Sequence, residues 1–162
     1  MPLQRKTLTA ANALMRLQDL CARSEQCSYD LMQKLRRWGV PQGDAEKVME
    51  QLYHGRYCDD RRFAEAFVRD KAMYNRWGRR KIALGLYAKR IPSDIASDAL
   101  DAIDPDEYLA TLRALARAKA RRLGSLAEYE EKAKLFRFLA ARGFESDLIS
   151  KVIKELPAGE ED

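Results

Sequence analysis

The sequence of 162 residues has no uninterrupted apolar run near the roughly 18 residues that a membrane-spanning helix needs. Its N-terminus, MPLQRKTLTAANAL, has two basic residues but no apolar core or small-residue cleavage site after them, so we predict no secretory signal. The three cysteines, Cys21, Cys27 and Cys58, are odd in number and lack C-x-x-C pairing. This pattern favours free thiols in a reducing cytosol over a disulfide or a metal site. We expect a cytoplasmic protein with no membrane association.

Residues typical of turns and strands are also few. The chain has only five prolines and eight glycines, and no Asn-Gly or Asp-Gly hairpin turn. Apolar residues recur at spacings of three and four almost throughout, which predicts an all-α fold. The predicted helices run from about Thr9 to Ala22, from a Ser24 or Ser28 cap to Trp38-Gly39, and then over about 44–54, 60–75, 79–89, 93–103, 105–122, 125 or 126 to 142, and 145–156.

Five apolar positions recur three times in the same register. Their successive offsets are 4, 5, 8 and 4, and the second and third copies follow after 51 and 53 residues. The copies are Leu31, Leu35, Val40, Val48, Leu52; then Ile82, Leu86, Ile91, Ala99, Ile103; then Leu135, Leu139, Phe144, Val152, Leu156. Gly39, Arg90 and Gly143 lie at the equivalent helix break. Repetition of this kind predicts three tandem three-helix repeats that stack into an elongated, curved array. We assign repeat 1 to residues 9–54, repeat 2 to 55–103, repeat 3 to 104–157, and an acidic disordered tail to 158–162.

Candidate catalytic residues are scarce. Asp59 and Asp60 are adjacent carboxylates before a predicted helix, where capping free amides is their ordinary role. The single histidine, His54, has no nucleophile or carboxylate arranged around it in the sequence. No Walker lysine motif, dinucleotide glycine fingerprint or H-E-x-x-H helix is present. We therefore predict no enzyme activity, no cofactor and no metal.

The net charge of +5 is unevenly distributed. The segment from Arg69 to Arg90 has eight basic residues and one acid, Asp70, and the segment from Arg113 to Gly124 has five basic residues and no acid. The last three residues of the sequence, Glu160, Glu161 and Asp162, are all acidic. A basic middle with an acidic end indicates an anionic partner, either nucleic acid or an acidic protein surface.

On predicted helices the basic residues form stripes. We interpret two arginine stripes and an Arg-Arg-Lys corner as a candidate docking surface, because the guanidinium fork pairs with carboxylate or phosphate. A solvated helix face is the alternative explanation for any single stripe. Trp38 and Trp77 are expected to pack at helix junctions rather than to stack on bases. The candidate partner-binding residues are Arg62, Arg69, Arg76, Arg79, Arg80, Lys81, Arg113, Arg117 and Arg121.

Two motifs resemble those of a known family. The segment GRYCDDRRFAEAFVRDK, followed by a glycine and then K-I-x-x-x-L…I, is similar to the signature of the RecX family, bacterial regulators of the RecA recombinase. The upstream SYDLMQKLRRWGV (Ser28 to Val40) resembles the motif that precedes this signature. The similarity is good from about Leu14 to Ile103, and in the third repeat it is mainly in the apolar spacing. Cys58 stands where the family usually has an aliphatic residue.

The resemblance implies a non-catalytic modulator built from tandem three-helix repeats. Such a protein binds within the groove of RecA–DNA filaments and modulates, mainly by inhibition, recombinase, ATPase and coprotease activity in recombination, DNA repair and the SOS response. The expected partner is the RecA filament, with contact to its DNA phosphates left open, and we expect a monomer. The alternative is a helical protein that binds nucleic acid directly and acts without RecA.

Overall fold

The computed structural model describes residues 7–157, and every regular element in that range is an α-helix. This confirms the all-α helical repeat fold, whereas the predicted acidic tail at 158–162 lies outside the described residues. The helices are α1 (Ala10–Arg23), α2 (Ser28–Arg37), α3 (Gln42–His54), α4 (Asp60–Met73), α5 (Arg79–Ala88), α6 (Ser93–Asp101), α7 (Pro105–Leu123), α8 (Tyr129–Ala141) and α9 (Ser146–Glu155).

The repeated apolar positions occupy equivalent places in the helices. In each copy, the first two lie on the second helix, the third follows the break, and the last two lie on or just after the third helix. All of them are buried except Ile103 and Leu156, which are half-buried at the end of their copies. The repeated spacing of apolar residues in the sequence therefore corresponds to three copies of one packing arrangement.

Each break between the second and third helix is a residue with positive φ. The φ angles are 74° at Gly39, 59° at Arg90 and 98° at Gly143. After the first and third breaks, the amide of the next residue donates back to a carbonyl five residues earlier, Val40 to Leu35 at 3.0 Å and Phe144 to Leu139 at 3.3 Å. This bonding satisfies carbonyls that a helix end would otherwise leave without a partner.

The chain divides into two compact units, one comprising the residues up to Ala66 with Tyr87–Ala96, and the other Phe67–Leu86 with the residues from Ser97 onward. The division runs through the second copy, because α4, α5 and α6 each contribute residues to both units. In unit 1, α1 and α2 pack on α3 around a core that includes Leu17, Leu31 and Leu52. In unit 2, α7, α8 and α9 pack on one another around a core that includes Leu112, Leu139 and Ile149.

Helix α8 begins later than the sequence pattern predicts. The predicted start was Ser125 or Leu126, but the helix begins at Tyr129. Gly124 has a φ of 84°, and the chain remains outside a helix until Glu128. Leu126 is nevertheless buried, so its apolar side chain fills the core of unit 2 from non-helical backbone.

Within unit 2, the start of α5 lies directly against the end of α8. The Gly78 amide donates to the Arg142 carbonyl at 2.8 Å, and the Arg80 amide donates to the Gly143 carbonyl at 2.9 Å. A Cβ added at Gly78 would lie far inside van der Waals contact with the Gly143 backbone, and one at Gly143 would meet Lys81. Glycine is thus required at both positions for this backbone approach.

We predict that Gly78→Ala lowers the free energy of unfolding by about 2 kcal/mol, because the methyl group forces two backbones apart. Urea unfolding followed by circular dichroism measures the change. Gly43→Ala is the matched control, since a Cβ at Gly43 meets nothing within 4 Å and alanine favours the helix. Equal stability of the two variants would contradict the close approach of Gly78 to Gly143.

Candidate functional site

Asp59 and Asp60 cap two different helices. Asp59 Oδ1 accepts from the amides of Arg61 at 2.9 Å and Arg62 at 3.1 Å, at the start of α4. The Asp60 carboxylate accepts from the Ser28 amide at 2.8 Å and the Ser28 hydroxyl at 2.5 Å, at the start of α2. The adjacent carboxylates therefore do structural work, as their sequence context indicated.

The predicted serine cap of α2 was wrong. The N-cap of α2 is Cys27, which makes no capping hydrogen bond through its side chain. Ser24 instead accepts a hydrogen bond from Gln26 at 2.9 Å, and Ser28 is the first helical residue. The capping acceptor comes from Asp60, 32 residues away in sequence, which a local pattern does not reveal.

Arg62 is engaged inside unit 1. Its Nε donates to Glu25 Oε1 at 2.6 Å, and its Nη2 donates to the carbonyls of Arg56 at 2.9 Å and Tyr57 at 3.2 Å. The hydrogen bond that Arg62 donates to Glu25 raises the pKa of Arg62. These contacts join the end of α1 to the turn before α4, so much of the guanidinium's donor capacity is already used.

Arg79 is similarly engaged inside unit 2. Its Nη1 lies 2.8 Å from Glu145 Oε2, its amide donates to the Tyr108 hydroxyl at 2.9 Å, and its Cζ lies 3.9 Å from the Tyr108 ring centroid. The Tyr108 hydroxyl in turn donates to Glu145 Oε1. Burial, and the hydrogen bond to Glu145, raise the pKa of Tyr108. This cluster joins α5 and α7 to the turn before α9.

Lys81 and Trp77 also contact each other in unit 2. The Lys81 ammonium lies 4.4 Å from the Trp77 ring centroid, and the Lys71 ammonium lies 4.7 Å from it. Trp77 is half-buried between these contacts. As expected for a junction residue, its ring is covered by neighbouring side chains rather than presented openly for stacking.

Arg69, Arg76 and Arg80 are exposed in unit 2. Arg76 has a φ of 54°, and its carbonyl accepts from the Arg142 guanidinium at 3.2 Å. The backbone of Arg76 is therefore tied to the end of α8. Eight of the nine candidate residues belong to unit 2, and Arg62 alone belongs to unit 1.

Arg113, Arg117 and Arg121 line one groove in unit 2, which we call the arginine groove. Its volume is about 840 Å³, and its lining also includes Leu126, Val152, Glu155, Leu156 and Pro157. Arg113 binds Glu155 through two hydrogen bonds, Nε to Oε2 at 2.9 Å and Nη2 to Oε1 at 3.1 Å. This pairing lowers the pKa of Glu155 and raises that of Arg113.

Arg117 and Arg121 differ from Arg113 in their pairing. Both are exposed, and no carboxylate within residues 7–157 lies in ion-pair distance of either. The arginine groove thus combines one neutralised arginine, two arginines open to an anion, and aliphatic side chains.

No helix in residues 7–157 is both long and apolar enough to cross a membrane. The same range holds no cluster of three histidine, cysteine or acidic side chains that could bind a metal ion. His54 is the exposed last residue of α3. Most of the candidate basic side chains belong to unit 2.

The comparisons with known proteins agree with this helical repeat architecture. Residues 59–100 match the family description "RecX, second three-helix domain", and residues 106–153 match "RecX, third three-helix domain". The regulatory protein RecX of Vibrio campbellii is 32% identical over 148 residues, which cover 91% of this chain and 92% of that protein. The chain belongs to the RecX family.

Other relatives differ in how much of their length this RecX-family chain spans. The regulatory protein RecX of Chromobacterium violaceum is 30% identical, over 85% of this chain and 86% of that protein. The Lactobacillus johnsonii protein is 26% identical over 79% of this chain, which spans only 47% of that longer relative. The crystal structure of RecX from Lactobacillus salivarius has a TM-score of 0.79 at 23% identity, over 91% of this chain and 96% of that one, which supports the fold.

Sequence reasoning did not identify the acidic partners of the candidate arginines. One signal was available for Glu145, which stands where the first two copies have Pro41 and Pro92. The replacement of this repeated proline by glutamate indicates a different role for the position. In the structure, Glu145 contacts Arg79 and Tyr108. Glu25 and Glu155 carry no comparable signal.

We predict that Asp60→Ala lowers the free energy of unfolding by about 2 kcal/mol, because two donors of Ser28 lose their acceptor and α2 loses its cap. Asp59→Ala is the neighbouring comparison and should cost about 1 kcal/mol, since it caps only its own helix. Urea unfolding of both variants tests this. A neutral Asp60→Ala would contradict the contact with Ser28.

We also predict that the thiols of Cys27 and Cys58 resist alkylation in the native protein. Both are buried, and burial raises the pKa of Cys27 to about 11 and that of Cys58 to about 12, so the reactive thiolate is scarce at pH 7. Cys21 is half-buried and should react first. Mass spectrometry after iodoacetamide treatment, with and without urea, measures this. Rapid native labelling of Cys58 would disprove it.

Proposed function

We propose that this chain is a non-catalytic regulator that binds RecA–DNA filaments and restrains their ATPase, recombinase and coprotease activities. It acts in the cytoplasm as a monomer during recombination, DNA repair and the SOS response. Membership of a family of regulatory proteins supports the regulatory role. The observation that carries the docking site is the set of exposed arginines in unit 2 without a carboxylate partner in the described chain.

The contacts place eight of the nine candidate residues in two groups, and the ninth, Lys81, lies against the Trp77 ring. Arg62, Arg79 and Arg113 each hold a glutamate within the fold, so their charges are largely neutralised. The docking surface consists of the exposed members of the set. These are Arg69, Arg76, Arg80, Arg117 and Arg121. An anionic partner meets uncompensated charge only at the second group.

Three repeats, at 9–54, 55–103 and 104–157, with an acidic tail at 158–162, complete the proposed organisation. Tandem repeats suit a partner that itself repeats along an axis, because successive units can contact successive subunits. The filament is such a partner. A single compact domain would contact it at one place.

The second candidate is a protein that binds nucleic acid directly and acts without RecA. The exposed arginines favour it, since arginine pairs with phosphate as readily as with carboxylate. Against it, the ring of Trp77 lies beside two ammonium groups, which limits its use as a stacking platform for bases.

We predict that Arg69→Glu/Arg80→Glu/Arg117→Glu weakens binding to RecA filaments at least about tenfold, because three attractive contacts become repulsive. Cosedimentation with filaments on single-stranded DNA measures the affinity. The control is Lys47→Glu/Lys132→Glu/Arg137→Glu, which reverses the same number of exposed charges outside the candidate set. It should bind as the parent does.

A salt series on filaments and on naked DNA distinguishes the two candidate functions. The proposed function gives filament binding that is tighter than DNA binding at every salt concentration. Equal affinity for naked DNA, with the same steep loss in salt, would favour direct nucleic-acid binding. Unchanged filament binding by the triple variant would remove these arginines from the docking surface.

A further inference from the structure

The arginine groove has two chemically different linings. Arg113, Arg117 and Arg121 come from α7, whereas Val152 comes from α9 and Leu126 from the segment after α7. Leu156 adds a half-buried aliphatic side chain just beyond α9. A ligand that fills this groove therefore needs both negative charge and apolar surface.

The groove already holds a carboxylate. Glu155 binds the Arg113 fork through two hydrogen bonds of 2.9 and 3.1 Å, the bidentate geometry typical of an arginine–carboxylate pair. Arg117 and Arg121 are one helical turn apart on the same helix, so their side chains are neighbours about 5–6 Å apart at Cβ. Their spacing suits two further carboxylates on one ligand.

The lining also argues against single-stranded nucleic acid. Sequence-independent binding of single strands relies on aromatic side chains that stack on the bases. None of the groove's lining residues is aromatic, and its apolar members are aliphatic apart from proline. Aliphatic side chains match the apolar side chains of a peptide better than they match a base or a sugar.

We propose that the arginine groove binds an extended acidic peptide segment of a partner protein, in which glutamate or aspartate alternates with aliphatic residues. Successive side chains of an extended segment point to opposite sides. The carboxylates then face Arg117 and Arg121 on α7, and the aliphatic side chains face Leu126 and Leu156. The proposal deepens the proposed function, since these arginines belong to the docking surface, but it does not depend on which protein carries the segment.

The proposal assigns Glu155 the role of a competitor. Its carboxylate neutralises Arg113 and adds negative charge beside Arg117. An incoming acidic segment meets repulsion from Glu155 as well as attraction from the arginines. Removing this charge leaves the Arg113 guanidinium without its carboxylate partner and thus available to a ligand. The Glu155→Gln variant should therefore bind an acidic peptide more tightly than the parent protein does.

The test uses the full chain and three fluorescein-labelled probes of equal charge, the peptides being amidated at the C-terminus, and binding is followed by fluorescence anisotropy. The first is the peptide GELELEG, the second is GESESEG, which lacks the aliphatic side chains, and the third is a tetranucleotide of thymidine. We expect saturable binding of GELELEG, with GESESEG and the tetranucleotide about tenfold weaker. Binding of the tetranucleotide as tight as that of GELELEG would overturn the proposal.

Variants locate the site. Arg117→Ala/Arg121→Ala should weaken GELELEG binding about tenfold, and Glu155→Gln should strengthen it about threefold. The control Lys132→Ala/Arg137→Ala removes two exposed cations outside the groove and should leave binding unchanged. An equal loss in the control, weaker binding by Glu155→Gln, or no saturable binding up to about 1 mM would overturn the proposal.

This experiment contains no RecA, so its result is separate from that of the proposed function. If the chain binds the peptide but has no effect on filaments, the groove is a peptide site and RecA is not the partner. If the chain affects filaments but does not bind the peptide, the regulatory function stands and the groove is not a peptide site.

Discussion

The second helix of each copy ends at a residue with positive φ, and this reversal determines where the third helix can lie. It places the residue after the break, Val40, Ile91 or Phe144, back over the helix that has just ended, where all three are buried. Two of the breaks use glycine, which adopts this conformation without strain. Arg90 adopts it at a cost of about 1 kcal/mol, which the surrounding packing must offset. Lys89 beside it binds Asp30 at 2.7 Å.

Contacts at the turn of the third copy position Arg79 and Arg80 of unit 2. Gly143 forms the break of the third copy, and its carbonyl accepts from the Arg80 amide. Arg79, the residue before Arg80, contacts Glu145 and Tyr108, so α5, α7 and the start of α9 are held together. Arg80 follows Arg79 in the first turn of α5. Arg117 and Arg121 lie further along α7, the helix that also carries Tyr108. Four of the five exposed arginines of the docking surface lie on helices, and Arg76 lies in the turn between α4 and α5. Helices suit a surface that must match a partner.

The sequence was sufficient for the fold because its signal is repeated. Five apolar positions recurred in register three times, and each copy supported the helix boundaries of the others. The roles of individual arginines could not be obtained in this way, since their partners are distant in sequence. Arg62 pairs with Glu25 across 37 residues, Arg79 with Glu145 across 66, and Arg113 with Glu155 across 42. A stripe of arginines looks uniform in sequence, although some members complete the fold and others remain available to a partner.

The central claim is that this RecX-family chain acts on RecA itself. The most direct test is a titration of the unaltered chain into RecA filaments on single-stranded DNA, with ATP hydrolysis followed continuously. The account predicts that hydrolysis falls as the chain is added, and that the filaments shorten in parallel when they are viewed by electron microscopy. Constant hydrolysis and constant filament length, at chain concentrations that saturate binding to the filament, would contradict it.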